Sequence, residues 1–332
     1  MEKITDIAFP HLGIEIESLT SYLDVFGFKI MFYGMLIGLG MILAIVIVGR
    51  NAKKEGIDPE VITDMAIWAI PIGIVCARLY YVIFSWDYYS QDLLQIFNLR
   101  GGGLAIYGGA IGGVTTVIVF CIVKKISPMR MVDIAIPGLI LGQAIGRWGN
   151  FFNCEAFGGF TDSIFAMRIN RDIVNSSMIT EELNQAMQAN LPELAADYIQ
   201  VHPTFLYESI CDFAIFAVLM IYRKHRRFGG ANLCLYMTGY GIARFFIERL
   251  RTDQLKIAGT NLAVSQWLSL LLVIAGAGLF VFGNIYVTKH PEKKVAIPVP
   301  DPERYSSGKK DKKEKDNKEK TTEKTTEKTT EE

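Results

Sequence analysis

The chain has 332 residues, of which 51% are hydrophobic and 20% charged, and its formal net charge is zero. That apolar share is high for a soluble protein and normal for a protein that crosses a membrane several times. The charges lie mainly in loops and in the last quarter of the chain, so their overall balance says little about partners, and we expect none that is a nucleic acid. The five cysteines stand singly, without metal-ligand spacing, so we expect no disulfide framework, metal or cofactor.

Seven apolar stretches follow one another along the chain, and each predicts a membrane-spanning helix. Their approximate limits are 28–48, 62–84, a stretch from the glycines at 101–103 to 123, 131–146, 206–222, 232–247 and 264–286. Pro137 starts or kinks the fourth span. No basic segment precedes the first span and no cleavage site follows it, so we expect no removable signal peptide.

Loop charge predicts the orientation of these spans. Basic loops follow the first, third and fifth spans, whereas acidic or mixed loops follow the second, fourth and sixth. Cytoplasmic loops carry the excess of lysine and arginine in membrane proteins. The amino terminus is therefore expected outside and the carboxyl terminus in the cytoplasm, which requires an odd number of spans.

The pattern predicts an all-α polytopic membrane protein with a small outward-facing α+β head and a disordered cytoplasmic tail. Residues 1–27 form an outer N-terminal segment, 28–158 hold four spans, 159–205 the head, and 206–288 three further spans. The tail at 289–332 ends in Thr-Thr-Glu-Lys repeats and is too polar to form a core.

Charged side chains within the spans indicate the functional region. Arg147 ends the fourth span, where an ionisable group costs about 2.5–3.5 kcal/mol on insertion scales and must face a bundle interior or a cavity. In the sixth span, helical spacing places four polar side chains on one face: Tyr240, Arg244, Glu248 and, just beyond the span, Arg251. Such a face cannot contact lipid tails, so it lines a cavity or pairs across the bundle.

Two interpretations of these charges stay open. A structural ion-pair network, for example between Arg244 and Glu155, would join the helices. Alternatively, arginines outnumber nearby acids, and this excess of buried positive charge binds an anion. A guanidinium fork suits a phosphate because it donates two parallel hydrogen bonds and keeps its charge when desolvated. We therefore predict that Arg147 binds the phosphate of a membrane lipid, with His202 structural and Cys154 a small packing residue.

Several sequence motifs add to this prediction of a lipid-binding site. The longest is Gly146-Arg147-x-Gly149-Asn150-Phe151-x-Asn153-x-Glu155-x-x-Gly158. The others are Phe32-Tyr33-Gly34, Arg78-Leu79 with Tyr81, Tyr107-Gly108-Gly109, His202-Pro203-Thr204 with Leu206-Tyr207-Glu208, Tyr240-Gly241 with Arg244-Phe245-Phe246 and Glu248, and Ser265-Gln266 with Leu268-Ser269. In content and order they resemble the bacterial prolipoprotein diacylglyceryl transferase family, over about residues 33–276.

The resemblance implies an enzyme of the bacterial cytoplasmic membrane. It would transfer diacylglyceryl from phosphatidylglycerol to the thiol of the lipobox cysteine in a preprolipoprotein signal peptide. The products are a thioether and glycerol phosphate, and the reaction is the first step of lipoprotein maturation. Arg147 and Arg244 would be the lipid-phosphate and catalytic arginines. The further lipid-binding positions would be Tyr33, Arg78, Asn150, Glu155, Gly158 and Tyr240.

One position departs from the family pattern. Some members carry a histidine with a base role where this chain has Tyr107. A tyrosine, with a pKa of about 10, is a poor base near neutral pH. Two alternatives stay open: Tyr107 only orients the head group, or the thiol proton goes elsewhere, to the phosphate itself or to Glu248.

Two functions from other classes compete with this enzyme. A transporter or flippase for an anionic solute would also place arginines inside a bundle, although the spans show no clear internal repeat. A membrane scaffold would leave the excess of arginine unexplained.

Overall fold

The computed structural model describes residues 5–99, 102–255 and 263–295. Its α-helices are α1 (Phe32–Lys54), α2 (Pro59–Phe84), α3 (Trp86–Tyr89), α4 (Ile106–Val123), α5 (Pro128–Phe152), α6 (Glu181–Asn190), α7 (Thr204–Tyr222), α8 (Ala231–Glu248) and α9 (Val264–Lys289). Six of them, α1, α2, α4, α5, α7 and α9, are long and apolar enough to cross a membrane. The prediction of a mostly helical, multi-pass membrane protein is confirmed. The predicted disordered tail lies, from residue 296 onward, outside the described residues.

The helix limits differ from the predicted spans in ways that matter for the site. α1 begins at Phe32, because Phe28–Met31 forms a strand that pairs with Tyr22–Val25 in a hairpin. α5 begins at Pro128, since proline is favoured at the first helical position, and it continues beyond 146 to Phe152. Arg147 therefore lies inside the last turns of a helix. α8 occupies the predicted sixth span but is not among the six helices that are long and apolar enough to cross a membrane.

The head contains a four-stranded antiparallel sheet in the order β2–β1–β5–β6. These strands are β1 (Ile7–Phe9), β2 (Ile14–Ile16), β5 (Met167–Asn170) and β6 (Tyr198–Val201), while the hairpin strands named above are β3 and β4. Ile7 pairs with Ile169, so the start of the chain completes the head. The sequence predicts the strands and helix at 159–205, but no local signal predicts a partner so far away in the chain.

Close packing holds α5 against α1. A Cβ added at Gly40 would lie 3.3 Å from the Cα of Gly142, and one added at Gly138 would lie 2.5 Å from Val48 Cγ2. Small residues at such crossings let two helix backbones approach each other within a membrane. The approach brings α1 alongside the final turns of α5, which carry the longest motif.

The basic loops after α1 and α7 meet at one end of the bundle in a group that we call the closed cluster: Glu55, Arg130, Asp133 and Arg226. Arg226 Nη2 lies 2.5 Å from Glu55 Oε2, and Arg130 Nε lies 3.5 Å from the same oxygen. Asp133 accepts backbone N–H bonds of 2.8 and 2.9 Å from Gly230 and Asn232 at the start of α8. These contacts join the ends of α1, α5, α7 and α8.

Candidate active site

At the opposite end, one carboxylate gathers arginines from separate elements. Glu208, in the second turn of α7, is ion-paired with Arg147 of α5 and accepts a hydrogen bond from Arg244 of α8. Arg251, beyond the end of α8, places Nη1 3.8 Å from Glu208 Oε1. Glu208 keeps 6% of its side chain exposed, whereas Arg147 keeps 22% and Arg244 17%. The carboxylate is covered while the two arginines remain partly accessible.

One further acid, Glu248, completes this group, which we call the open cluster: Arg147, Glu208, Arg244, Glu248 and Arg251. Arg244 Nη2 lies 2.6 Å from Glu248 Oε2, one turn further along α8. The face predicted from helical spacing therefore exists, and Arg251 joins it from beyond the helix end.

The predicted excess of positive charge is wrong. Arg251 donates bonds of 2.8 and 2.6 Å to Asp253, so each of the three arginines has an acidic partner. Burial acts to raise the pKa of Asp253, but these hydrogen bonds outweigh it and hold that pKa below its ordinary value. Glu208 is the principal acid that the prediction left out. An anion must therefore compete with an internal carboxylate for the guanidinium groups.

The predicted Arg244–Glu155 pair is also replaced by other contacts. Glu155 Oε1 accepts bonds of 3.0 and 3.2 Å from the side-chain amides of Asn150 and Asn153. These three residues lie close together in the chain where α5 ends. The backbone there has positive φ at Cys154 and Ala156. A cavity of about 380 Å³ adjoins Glu155 there, lined also by Phe152, Asn153 and Met178.

Tyr33 and Gly158 connect the motif to its neighbours. Tyr33 packs on Gly149, where any side chain would overlap the tyrosine ring. The N–H of Gly158 donates a 2.9 Å bond to the carbonyl of His202, and a Cβ at Gly158 would lie 2.7 Å from the carbonyl oxygen of Leu250. Glycine is thus required by close approach, and it holds the segment that carries Arg251 against the motif.

Tyrosines of α8 border the open cluster. Tyr240 stacks on Tyr236 with ring centroids 5.5 Å apart. The hydroxyl of Tyr236 donates a 3.1 Å bond to Gln143 of α5. Tyr240 also interacts electrostatically with Arg147 and Arg244. The predicted position of Tyr240 beside the two arginines therefore agrees with the structure.

Arg78 has a different role from the one predicted. Its three guanidinium nitrogens donate bonds of 2.5 to 3.0 Å to backbone carbonyls of the segment after α3, namely those of Gln95, Ile96, Asn98, Gly102 and Gly103. The side chain is buried, and a guanidinium surrounded by carbonyls has no face left for a phosphate. We reassign Arg78 from lipid binding to holding this loop on α2.

The contacts of Tyr107 are with residues outside the open cluster. It is in the first turn of α4, half-exposed, with its ring 6.5 Å from that of Tyr80. Among the described residues, no hydrogen bond or ion pair links Tyr107 to the arginines. The structure therefore brings together Arg147, Arg244, Glu248 and Tyr240 from the predicted site, and among the described residues Tyr107 makes no polar contact with them.

The sequence predicts structural roles for two reactive side chains nearby, and their packing is compatible with that prediction. Cys154 is buried in the head core with Phe151 and Phe157, and burial raises the pKa of its thiol to about 12. Burial also lowers the pKa of His202, whose Nδ1 lies 3.3 Å from the hydroxyl of Tyr207. A neutral imidazole and an un-ionised thiol are both expected at neutral pH.

Comparison with known proteins gives one consistent family. The family model described as prolipoprotein diacylglyceryl transferase matches residues 21–282. A relative from Clostridioides difficile is 43% identical over 273 residues, covering 82% of this chain and 96% of the relative. Relatives from Finegoldia magna and Bacillus cytotoxicus are 44% and 41% identical, covering 81% and 74% of this chain and 98% and 85% of their own. All three are named phosphatidylglycerol–prolipoprotein diacylglyceryl transferase.

Proposed function

This chain belongs to the prolipoprotein diacylglyceryl transferase family, and we propose that its open cluster binds and activates the lipid donor. The enzyme transfers the diacylglyceryl group of phosphatidylglycerol to a prolipoprotein, the first step of lipoprotein maturation. The acceptor atom in this proposal is the thiol of the lipobox cysteine, and the products are a thioether and glycerol phosphate.

The observation that carries the proposal is the convergence of Arg147 and Arg244 on Glu208. Two guanidinium groups from different helices are aimed at the two oxygens of one carboxylate. A phosphodiester also presents two anionic oxygens and forms the same bidentate, charge-assisted hydrogen bonds. The phosphate of the lipid takes over these donors from Glu208, and the partial exposure of both arginines gives it access.

The chemistry follows from where charge develops. The thiolate attacks the glycerol carbon while the carbon–oxygen bond to the phosphate breaks. Negative charge therefore grows on the departing phosphate, and donors already aimed at it lower the barrier. Removing one such donor in other enzymes costs about 10²–10³ in turnover. Arg147 and Arg244 supply this stabilisation, and Glu248 fixes Arg244 through their 2.6 Å ion pair.

The neighbouring residues shape the lipid site. Tyr240 borders the arginines, while Tyr33, Asn150, Glu155 and Gly158 form the wall built on the end of α5. Arg251 contacts Glu208 and also lines a cavity of about 670 Å³ with Gly159 and Glu181 of the head, which offers the polar product a path outward. Tyr107 makes no polar contact with the arginines among the described residues, so in this proposal it orients the head group and does not act as the base.

The orientation in the membrane completes the proposal. The basic loops meet at the closed cluster, so that end faces the cytoplasm by the charge rule, with the amino terminus outside. The open cluster and the head then face outward, at the level where a lipobox cysteine leaves the bilayer. Both substrates reach the arginines from the outer leaflet of the bacterial cytoplasmic membrane.

One assay tests the proposed function. The purified chain in vesicles of phosphatidylglycerol is given a synthetic lipobox peptide, and the products are read by mass spectrometry. We expect a diacylglyceryl adduct on cysteine together with stoichiometric glycerol phosphate. A peptide that differs only in having serine for cysteine is the control and should stay unmodified. Solute flux across the vesicles without any adduct would support a transporter instead.

A further inference from the structure

One buried carboxylate beside the open cluster has an oxygen without a partner among the described residues. Asp212 follows Glu208 by one turn of α7, and only 2% of the residue is exposed. Its Oδ2 makes no hydrogen bond with any described residue, and Asp212 forms no ion pair within the described part of the chain. A buried charge is costly unless it is paired, so a carboxylate kept in this state calls for a function.

The surroundings of Asp212 place it next to the proposed lipid phosphate. It interacts electrostatically with Arg147 of α5, with Arg244 of α8 and with Glu208 of its own helix. The other titratable groups that interact with it are Tyr236 and Tyr240 of α8 and its neighbour Cys211. Asp212 thus lies within the field of both arginines without being bound by either.

The other acids of the site are less suited to accept a proton. Glu208 is held by Arg147 and Arg244, and Glu248 is held by Arg244. In each of these pairs the charge of the carboxylate is compensated by a guanidinium group within ion-pair distance. Asp253 is occupied in the same way by Arg251. By contrast, Asp212 Oδ2 has neither a hydrogen bond nor an ion pair with any described residue, and it is therefore the oxygen available to receive a proton.

We propose that Asp212 is the general base that accepts the proton of the prolipoprotein thiol, an inference that rests on the proposed transferase function. The S–H bond breaks and its proton passes to Asp212 Oδ2. The sulfur forms a bond to the glycerol carbon, and the carbon–oxygen bond breaks with its electron pair going to the phosphate. Asp212 then passes the proton to the departing glycerol phosphate and returns to its carboxylate form. Atoms and charges balance without any further reactant.

A selenocysteine peptide separates proton transfer from a structural role. A selenol is already ionised at neutral pH, so it needs no base. Asp212→Asn keeps the shape of the side chain and removes the proton acceptor. We expect the full-length variant to lose about 10²-fold or more in turnover of the cysteine peptide, as general-base removal predicts. On the selenocysteine peptide the same variant should stay within a few-fold of the wild type.

Cys211→Ser is the matched control, because it changes the adjacent titratable residue of α7. It should turn over both peptides as the wild type does. Asp212→Glu is the second variant and keeps a carboxylate if the amide disturbs folding. It should shift the acid side of the pH–rate profile for the cysteine peptide and leave the selenocysteine profile unchanged.

The outcomes are distinct. An equal loss on both peptides would assign Asp212 a structural role and overturn the inference, and so would full activity of Asp212→Asn on cysteine. Identical pH–rate profiles of Asp212→Glu and wild type on cysteine would also contradict it. Absence of any adduct from the wild type with both peptides would instead remove the proposed function itself.

Discussion

The two charged clusters use the same residue types and differ in access. In the closed cluster, Arg226, Asp133 and Glu55 keep 1%, 0% and 5% of their side chains exposed, and Arg130 keeps 36%. In the open cluster, Arg147 and Arg244 keep 22% and 17% around an equally buried Glu208. Burial of arginine in a membrane bundle is thus not by itself a sign of substrate binding. In the open cluster both arginines paired with Glu208 remain partly accessible, whereas in the closed cluster Glu55 is paired with a partly exposed Arg130 and a fully buried Arg226.

Energetics make the same distinction. Removing one member of a buried ion pair leaves the other charge uncompensated and typically costs about 3–5 kcal/mol. That cost should appear as lost stability in the closed cluster. In the open cluster a lipid phosphate can replace a missing acid, so the main loss there should be catalytic.

The largest effect is expected at Arg147. Arg147→Ala removes a donor to the lipid phosphate and should abolish formation of the diacylglyceryl adduct, while the protein still inserts and folds. Mass spectrometry of the peptide reports the activity, and detergent extraction followed by size-exclusion chromatography reports the fold. Aggregation of the variant would instead give Arg147 the structural role that we assign to the closed cluster.

Arg147→Lys sharpens the comparison by keeping the charge. Lysine is a point charge without the planar fork, so we expect most of the turnover to be lost. The measurement is kcat with phosphatidylglycerol and the lipobox peptide. Wild-type turnover of the lysine variant would reject the bidentate contact that the proposal requires.

The closed cluster should respond in stability. Arg226→Met leaves Glu55 without its 2.5 Å partner and should lower the free energy of unfolding by about 3–5 kcal/mol. Turnover per folded molecule should change little. Lys124→Ala is the control, because its 3.9 Å pair with Asp64 is exposed and such pairs contribute only about 0–1 kcal/mol. Equal thermal shifts in both variants would contradict the comparison.

A smaller effect is expected at Tyr107. Tyr107→Phe removes the hydroxyl from a ring whose contacts lie away from the open cluster. We expect a reduction of a few-fold in kcat/KM, because only head-group orientation is affected. Complete loss of turnover with lipid binding retained would place this hydroxyl in proton transfer, against the role assigned to Asp212.

The smallest effect concerns Cys154, which is buried in the head core outside the open cluster. The ordinary pKa of a cysteine thiol is about 8.5, and burial raises that of Cys154 to about 12. Because the folded-state pKa is raised, the thiol stays protonated at pH 8 and should resist iodoacetamide until the protein is unfolded. Peptide mapping after alkylation measures this. Rapid labelling in the native state would show that solvent reaches the head core.

Part of the site was predictable because its signals are local. Tyr240, Arg244 and Glu248 recur at helical spacing, and this alone places them on one face with an interior to occupy. Arg147 is conspicuous because it interrupts an apolar stretch. The spans themselves follow from their length and apolar composition, and six of the seven long helices are apolar enough to cross a membrane.

The rest depends on contacts between distant parts of the chain. Glu208 lies within a motif, but only the packing of α5, α7 and α8 reveals that it joins the arginines. The loop whose carbonyls accept hydrogen bonds from Arg78 begins after α3. The sequence alone therefore could not identify it as the partner of this arginine. Asp212 shows no signal apart from being an acid one turn from Glu208 within an apolar helix. The four-residue spacing from Glu208 could have identified Asp212 as a further candidate residue.

The most direct measurement is a structure of the full-length protein with a phosphonate analogue of phosphatidylglycerol that cannot lose its head group. We expect Arg147 and Arg244 both to donate to one phosphonate, at about 2.7–2.9 Å, in place of their contacts with Glu208. An analogue bound elsewhere, with both arginines still on Glu208, would contradict it.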